Sequence, residues 1–181
     1  MTNFFSSNYK VIHLPTLSIN SANMEPINTK EFDGLIFTSA NAVRFLQLKN
    51  DEKNIKCFCV GNITERSLRL KGFTNTVAAS GTVNALKNII LNSEKKIKNL
   101  AYLCGDVVSY DLDKDLKLSG FKVKKIINYT SSKITDLNSE SLDLIKKYPP
   151  DITLIDSKRS AESFDEIARK YSLSELMTQC T

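Results

Sequence analysis

Short apolar runs alternate with amphipathic stretches along most of this chain. Gly34–Thr38, Lys56–Val60, Thr76–Ala78, Leu100–Leu103 and Phe121–Ile127 are dense in β-branched, aromatic and aliphatic residues and read as strands. Between them Asn41–Lys49, Thr64–Lys71, Val83–Leu91 and Ser109–Leu118 read as helices. Val83, Leu86, Ile89 and Ile90 fall on one helical face, and Thr82 stands where a cap is needed. Tyr9–Leu14 reads as a first strand closed by Pro15, Ser139–Lys147 as a helix closed by Pro149-Pro150, and Ile152–Ile155 as a further strand. Strands alternating with helices of about ten residues predict parallel βαβ units in an open α/β sheet.

One phrase occurs twice. Gly34–Leu46 and Ile152–Phe164 each hold an apolar run, then a serine, then an amphipathic stretch, with Ser39 in register with Ser157. A serine at a strand-to-helix junction can cap the helix, and the free amides behind it can hold an anion. Two such junctions predict two similar half-sites in a bilobed α/β protein that binds an anionic ligand. A second echo, L-R-L-K-G-F at Leu68–Phe73 and L-K-L-S-G-F at Leu116–Phe121, predicts two helices that end at glycine and lead into strands.

Composition narrows the classes. The chain has 181 residues, 41% hydrophobic and 25% charged, with a net charge of +5, which is ordinary for a globular protein. Its apolar runs are too short to cross a bilayer, and Met1–Pro15 carries no basic region followed by an apolar core. The expectation is a cytoplasmic protein without membrane contact. Lysines cluster at Lys95, Lys96 and Lys98 and at Lys122, Lys124 and Lys125, without interleaved aromatics, so solvated faces explain them better than a nucleic-acid surface. The mild positive bias suits a polyanionic small molecule. Cys57 and Cys59 share one strand face, and with His13 the only histidine, buried reduced thiols fit better than a metal site.

The junctions Thr38-Ser39, Gly61–Thr64, Gly105-Asp106 and Asp156-Ser157 could line the carboxyl ends of a parallel sheet, where ligands of such folds bind. They offer hydroxyls and glycine-freed amides. They offer no G-x-S-x-G, no phosphate-binding glycine loop and no Cys–His pair. For any single hydroxyl, plain helix capping is the better explanation, and only the repetition of the arrangement raises anion binding to an equal footing.

Seven segments in order resemble the uroporphyrinogen-III synthase family: D-G-L-I-F-T-S-A-N-A-V at Asp33–Val43, V-G-N-I-T at Val60–Thr64, L-K-G-F at Leu70–Phe73, L-C-G-D at Leu103–Asp106, S-G-F-K-V at Ser119–Val123, N-Y-T at Asn128–Thr130 and I-D-S-K-R-S-A at Ile155–Ala161. The resemblance implies two flavodoxin-like α/β lobes joined by two extended connections. One lobe would be Leu17–Ser132, and the other would combine Met1–Thr16 with Lys133–Thr181. The family pattern has further elements before Phe4 and after Thr181, so the second lobe is expected to be incomplete, with Val11, Ile12, Ile152 and Leu154 exposed.

The implied reaction closes hydroxymethylbilane, a linear tetrapyrrole with eight carboxylates, to uroporphyrinogen III with loss of water and inversion of ring D. No metal or cofactor is implied. The protein is expected to be a monomer that meets the preceding pathway enzyme only transiently. Tyr129 maps onto the family's cleft tyrosine and is the expected acid. Ser39, Asn62, Thr64, Gly105 and Ser157 are the expected carboxylate contacts, and Asp156 stands where the family commonly has serine or threonine. A non-catalytic anion-binding α/β module, or a decayed synthase relative, is the alternative. A receiver-type signalling domain would need an acidic cluster at the strand ends, where Thr38, Val60 and Cys104 stand instead.

Overall fold

A computed structural model describes residues 10–22, 24–155 and 157–173. The chain divides into two compact units, one of Ile19–Ser131 and one combining Met1–Ser18 with Ser132–Thr181. The described strands are β1 (Leu17–Ser21), β2 (Gly34–Phe37), β3 (Lys56–Cys59), β4 (Thr76–Ala78), β5 (Asn99–Gly105) and β6 (Lys122–Lys133). The helices are α1 (Ala40–Arg44), α2 (Asn62–Leu70), α3 (Val83–Leu91), α4 (Leu112–Leu118), α5 (Ser139–Lys147) and α6 (Lys158–Lys170). The strands form one sheet in the order β1-β6-β5-β2-β3-β4. β2 pairs in parallel with β3 and β5, β3 with β4, and β5 with β6.

The continuous apolar runs are explained by burial on both faces. All four residues of β2 are buried, and Leu35, Ile36 and Phe37 are fully so. On one face Ile36, Phe58, Tyr102 and Cys104 pack beneath Leu86 and Ile90 of α3 and Leu112 and Leu116 of α4. On the other, Leu35, Phe37, Cys57, Cys59 and Leu103 pack with Ala42 and Val43 of α1 and Leu68 of α2. The thiols of Cys57 and Cys59 thus share a face, as their spacing predicts.

The strand order turns at β2. From β2 the chain runs outward through β3 to β4, then returns to the other side of β2 as β5 and continues to β6. The crevice of such a sheet opens at that turning point, between the carboxyl ends of β2 and β5. The L-x-L-x-G-F echo is realised in full. Gly72 has φ 92° and Gly120 φ 88°, and the amides of Phe73 and Phe121 donate to the carbonyls of Leu68 and Leu116, each at 3.1 Å.

Four sequence expectations are corrected. The helix expected over Asn41–Lys49 stops at Arg44, because tertiary donors take its carbonyls: Asn128 Nδ2 reaches Ala42 O at 2.7 Å, and Lys71 Nζ reaches Arg44 O at 3.1 Å and Leu46 O at 3.3 Å. Burial lowers the Lys71 pKa from its ordinary value. Neither Lys10–Leu14 nor Ile152–Ile155 is a strand, since neither segment enters the ladder of a neighbour. Ile152 and Leu154 are 56% and 65% exposed, and Val11 is exposed as well. Ile12 instead packs, with Leu14, onto the small core of Ile145, Ala168 and Leu173 in its unit. In that unit Ser163, fully buried on α6, donates to the carbonyls of Thr16 and Ile134, both at 2.8 Å.

Candidate functional site

The carboxyl edge of the sheet gathers the junctions that follow β2, β3, β4 and β5. After β2, Ser39 caps α1, its Oγ accepting from the Asn41 amide at 3.1 Å. Beside it, Thr38 Oγ1 lies 3.1 Å from the hydroxyl of Tyr102 on the neighbouring strand β5. The Tyr102 ring is 1% exposed, and burial pushes its phenol up to about 12, so it stays a neutral hydrogen-bonding group beside Thr38.

After β3, Gly61 occupies the cap of α2 and supplies no side-chain cap to the first amides of that helix. The glycine is close to a second one. A Cβ at Gly61 would stand 3.5 Å from the Cα of Gly81, and the Gly81 amide donates to Val60 O at 2.8 Å. The Ser80-Gly81-Thr82 turn therefore abuts the Gly61-Asn62 junction. Sequence reading assigned Thr82 only as a cap, which it is, accepting from the Ala85 amide at 3.1 Å. The signal overlooked was the third strand-to-helix step, S-G-T, beside two others of the same make. Asn62 is exposed, whereas Thr64 is 4% exposed and sits inside the first turn of α2.

After β5, Gly105 and Tyr129 meet. The two pair across β5 and β6, and an added Cβ at residue 105 would stand 2.7 Å from the Tyr129 ring. The half-buried ring also stacks on Phe45 at 6.4 Å between centroids. Asp106 fixes the loop around them. Its amide donates to Tyr129 O at 3.1 Å, and its Oδ1 accepts from the amides of Val107 and Ser131 at 3.0 Å.

Ser157 lies in the other unit and caps α6, accepting from the Ser160 amide at 3.0 Å. The cap half of the repeated phrase is thus present in both copies. Its strand half is present only before Ser39. Asp156 and Cys180 lie outside the described residues.

The three described thiols, Cys57, Cys59 and Cys104, are free and buried. Burial is the main cause that pushes Cys59 up to about 12 and Cys104 up to about 11, and it raises Cys57 further still. Among the described residues, no three His, Cys, Asp or Glu side chains converge as a metal site requires, and no helix is long and apolar enough to cross a membrane.

A groove of about 600 Å³ lies at the opposite, amino-terminal edge, where Thr29, Lys30, Asp33, Glu52, Lys56 and Lys96 contribute to its lining. Its charges are mixed, and several already have partners. Lys30 faces Glu52 at 3.5 Å, and Asp33 accepts the Lys98 and Asn99 amides, which lowers its pKa from the ordinary carboxylate value. A polyanion gains little there. The carboxyl edge, with uncapped amides, hydroxyls and a half-buried phenol, is the better anion-handling surface.

Comparison with known proteins identifies the family of the chain. The family described as uroporphyrinogen-III synthase HemD matches residues 4–181. Among curated protein sequences none matches. The crystal structure of uroporphyrinogen-III synthetase from Helicobacter pylori 26695 is similar with a TM-score of 0.65 and 25% identity, covering 89% of this chain and 73% of that one. A mutant uroporphyrinogen III synthase from the extremely thermophilic bacterium Thermus thermophilus shares the fold, with a TM-score of 0.50 and 14% identity over 90% of this chain and 70% of that one.

Proposed function

The chain belongs to the uroporphyrinogen-III synthase family, and from that premise we propose how its residues serve the family reaction. The function is that of a cyclising lyase of tetrapyrrole biosynthesis, which closes hydroxymethylbilane to uroporphyrinogen III with loss of water and inversion of ring D. The observation that carries it is the family match over residues 4–181.

Losing the hydroxyl from an electron-rich pyrrole requires one proton and an environment that tolerates the resulting cation. Tyr129 is the group we assign as acid, supported by its half-buried phenol beside Gly105 at the carboxyl edge. The phenol gives its proton to the departing hydroxyl, water leaves, and the proton released on ring closure restores the phenol. The greater demand is positioning, because a flexible chain must present one particular carbon to the cation. Ser39, Asn62 and the Gly105 backbone are the proposed carboxylate contacts. Thr64 is buried, so its contribution comes through its backbone amide at the uncapped start of α2. Ser157, in the terminal unit, is proposed as a separate contact for another carboxylate. The protein is proposed to act as a cytoplasmic monomer, with at most a passing encounter with the enzyme that supplies its unstable substrate. Leu17–Ser132 is proposed as one lobe, and Met1–Thr16 with Lys133–Thr181 as the other.

The test supplies hydroxymethylbilane generated in situ and separates the porphyrin isomers after oxidation. Spontaneous closure gives the type I isomer. Enzyme-dependent type III product is expected, and exclusive type I product from folded protein overturns the assignment.

A further inference from the structure

We infer that Asn128 is a positioning residue, which aims the Tyr129 phenol by fixing a bulge in β6 to helix α1. The inference rests on the assignment of Tyr129 above. Up to Cys104 the register of β5 and β6 is regular, with Cys104 opposite Ile127; the next pair is Gly105 with Tyr129. One residue of β6, Asn128, is therefore extra. Along a regular strand Asn128 and Tyr129 would face opposite sides of the sheet. Instead both serve the α1 side: Asn128 Nδ2 donates to Ala42 O, while the Tyr129 ring packs with Phe45 and the Phe37–Leu103 cluster. A bulge that brings the next side chain onto the wrong face is a device for re-aiming it.

The cost falls on Asn128. It is fully buried, and its Oδ1 has no donor among the described residues. A buried acceptor left unsatisfied disfavours the folded state, so a wholly apolar side chain of similar size would serve packing better. What the amide supplies is a single directed bond to the helix that Ser39 caps. The phenol over Gly105 and the Ser39 junction are thereby held to one frame through two bonds: Ser39 Oγ to the Asn41 amide, and Asn128 Nδ2 to Ala42 O.

The experiment combines a mutant cycle with a spectroscopic readout on the full chain. Asn128→Leu, Tyr129→Phe and the double variant are assayed with hydroxymethylbilane. Asn128→Leu is expected to lower kcat by about 10- to 100-fold, as loss of alignment does, with KM nearly unchanged. In the Tyr129→Phe background it should bring little further loss, because a residue acting through the phenol has nothing left to aim. An equal loss in both backgrounds overturns the inference. Separately, and without substrate, tyrosine labelled with carbon-13 at Cζ reports the phenols, with the Tyr129 signal identified by its absence in Tyr129→Phe. That signal should move in Asn128→Leu while the Tyr102 signal stays; an unmoved Tyr129 signal in folded protein sinks the idea. If Asn128→Leu does not fold, Asn128→Ala, which is smaller and also removes the donor, takes its place in both measurements. Should the wild type yield only type I product, the synthase reading fails, and the spectroscopic arm still decides whether residue 128 aims the phenol.

Discussion

The ring of Tyr129 lies where a side chain at Gly105 would begin. An added Cβ would stand 2.7 Å from two ring carbons and 3.0 Å from the hydroxyl. The contact explains the glycine by space alone, since its backbone does not occupy the left-handed region. Gly105→Ala is expected to cost about 1–3 kcal/mol, as overpacking of a tight contact does. It should also displace the phenol and reduce type III formation. Urea unfolding of Gly105→Ala, with and without Tyr129→Ala, checks the cause. Truncating the ring should recover part of the loss, and strictly additive costs would show that the two residues do not press on each other.

Tyr129→Phe keeps the ring on Gly105 and against Phe45 but removes the hydroxyl. Stability should change by less than about 1 kcal/mol, since the phenol is half-buried. Type III formation should fall by about 100-fold or more, in the range of a lost general acid. A variant with wild-type rate and isomer ratio would move the acid to another group.

Stability should decline with rising pH from about pH 9. Cys104 is raised by burial from 9.0 to about 11 and Cys59 to about 12, and Tyr102 from 10.0 to about 12. Between the unfolded and folded values the native state binds more protons than the unfolded chain, so the unfolding free energy falls as pH rises. This contribution is whole below the unfolded values and lost as pH climbs through the folded ones. Urea midpoints should be flat to about pH 9 and fall thereafter. Cys57, Cys59 and Cys104 should also resist a thiol reagent at neutral pH until urea is added, because all three are buried. Rapid labelling of all three in native buffer would contradict the packing described.

Gly120→Ala should cost about 1–2 kcal/mol, since φ 88° is unfavourable for a residue with a Cβ even though the space there is open. Gly72→Ala should cost at least as much, because its Cβ would also meet the Lys53 side chain at 3.2 Å. Thermal or urea unfolding measures both, and a neutral Gly120→Ala would mean that the helix end relaxes.

The alternation of strands and helices was legible because each element carries its own period. Val83–Leu91 has its cap in Thr82, and both L-x-L-x-G-F phrases end at a glycine in the left-handed region. What the sequence could not disclose depends on residues far apart in the chain. Helix α1 ends where Asn128 and Lys71 reach its carbonyls from 86 and 27 residues away. Tyr129 and Gly105 were singled out separately, but their contact arises from a bulge that no local pattern announces. Ile152–Ile155 has the composition of a strand; composition alone does not supply a neighbour to pair with. Thr64 has the right type for a ligand contact, and its burial follows from the packing of α2 rather than from its motif.

Glycine does two different jobs around this sheet, as four of its positions show. Gly72 and Gly120, at the edge where strands begin, are needed for a backbone angle. Gly61 and Gly105, at the edge where strands finish, are valuable for the atoms they lack, one leaving amides uncovered and the other making room for a phenol. An alanine scan of these four positions would therefore separate into two phenotypes: enzymes that melt early yet still make the type III ring, and enzymes that misdirect it whatever their melting point. Such a scan would tell glycines kept for a backbone angle from glycines kept for space.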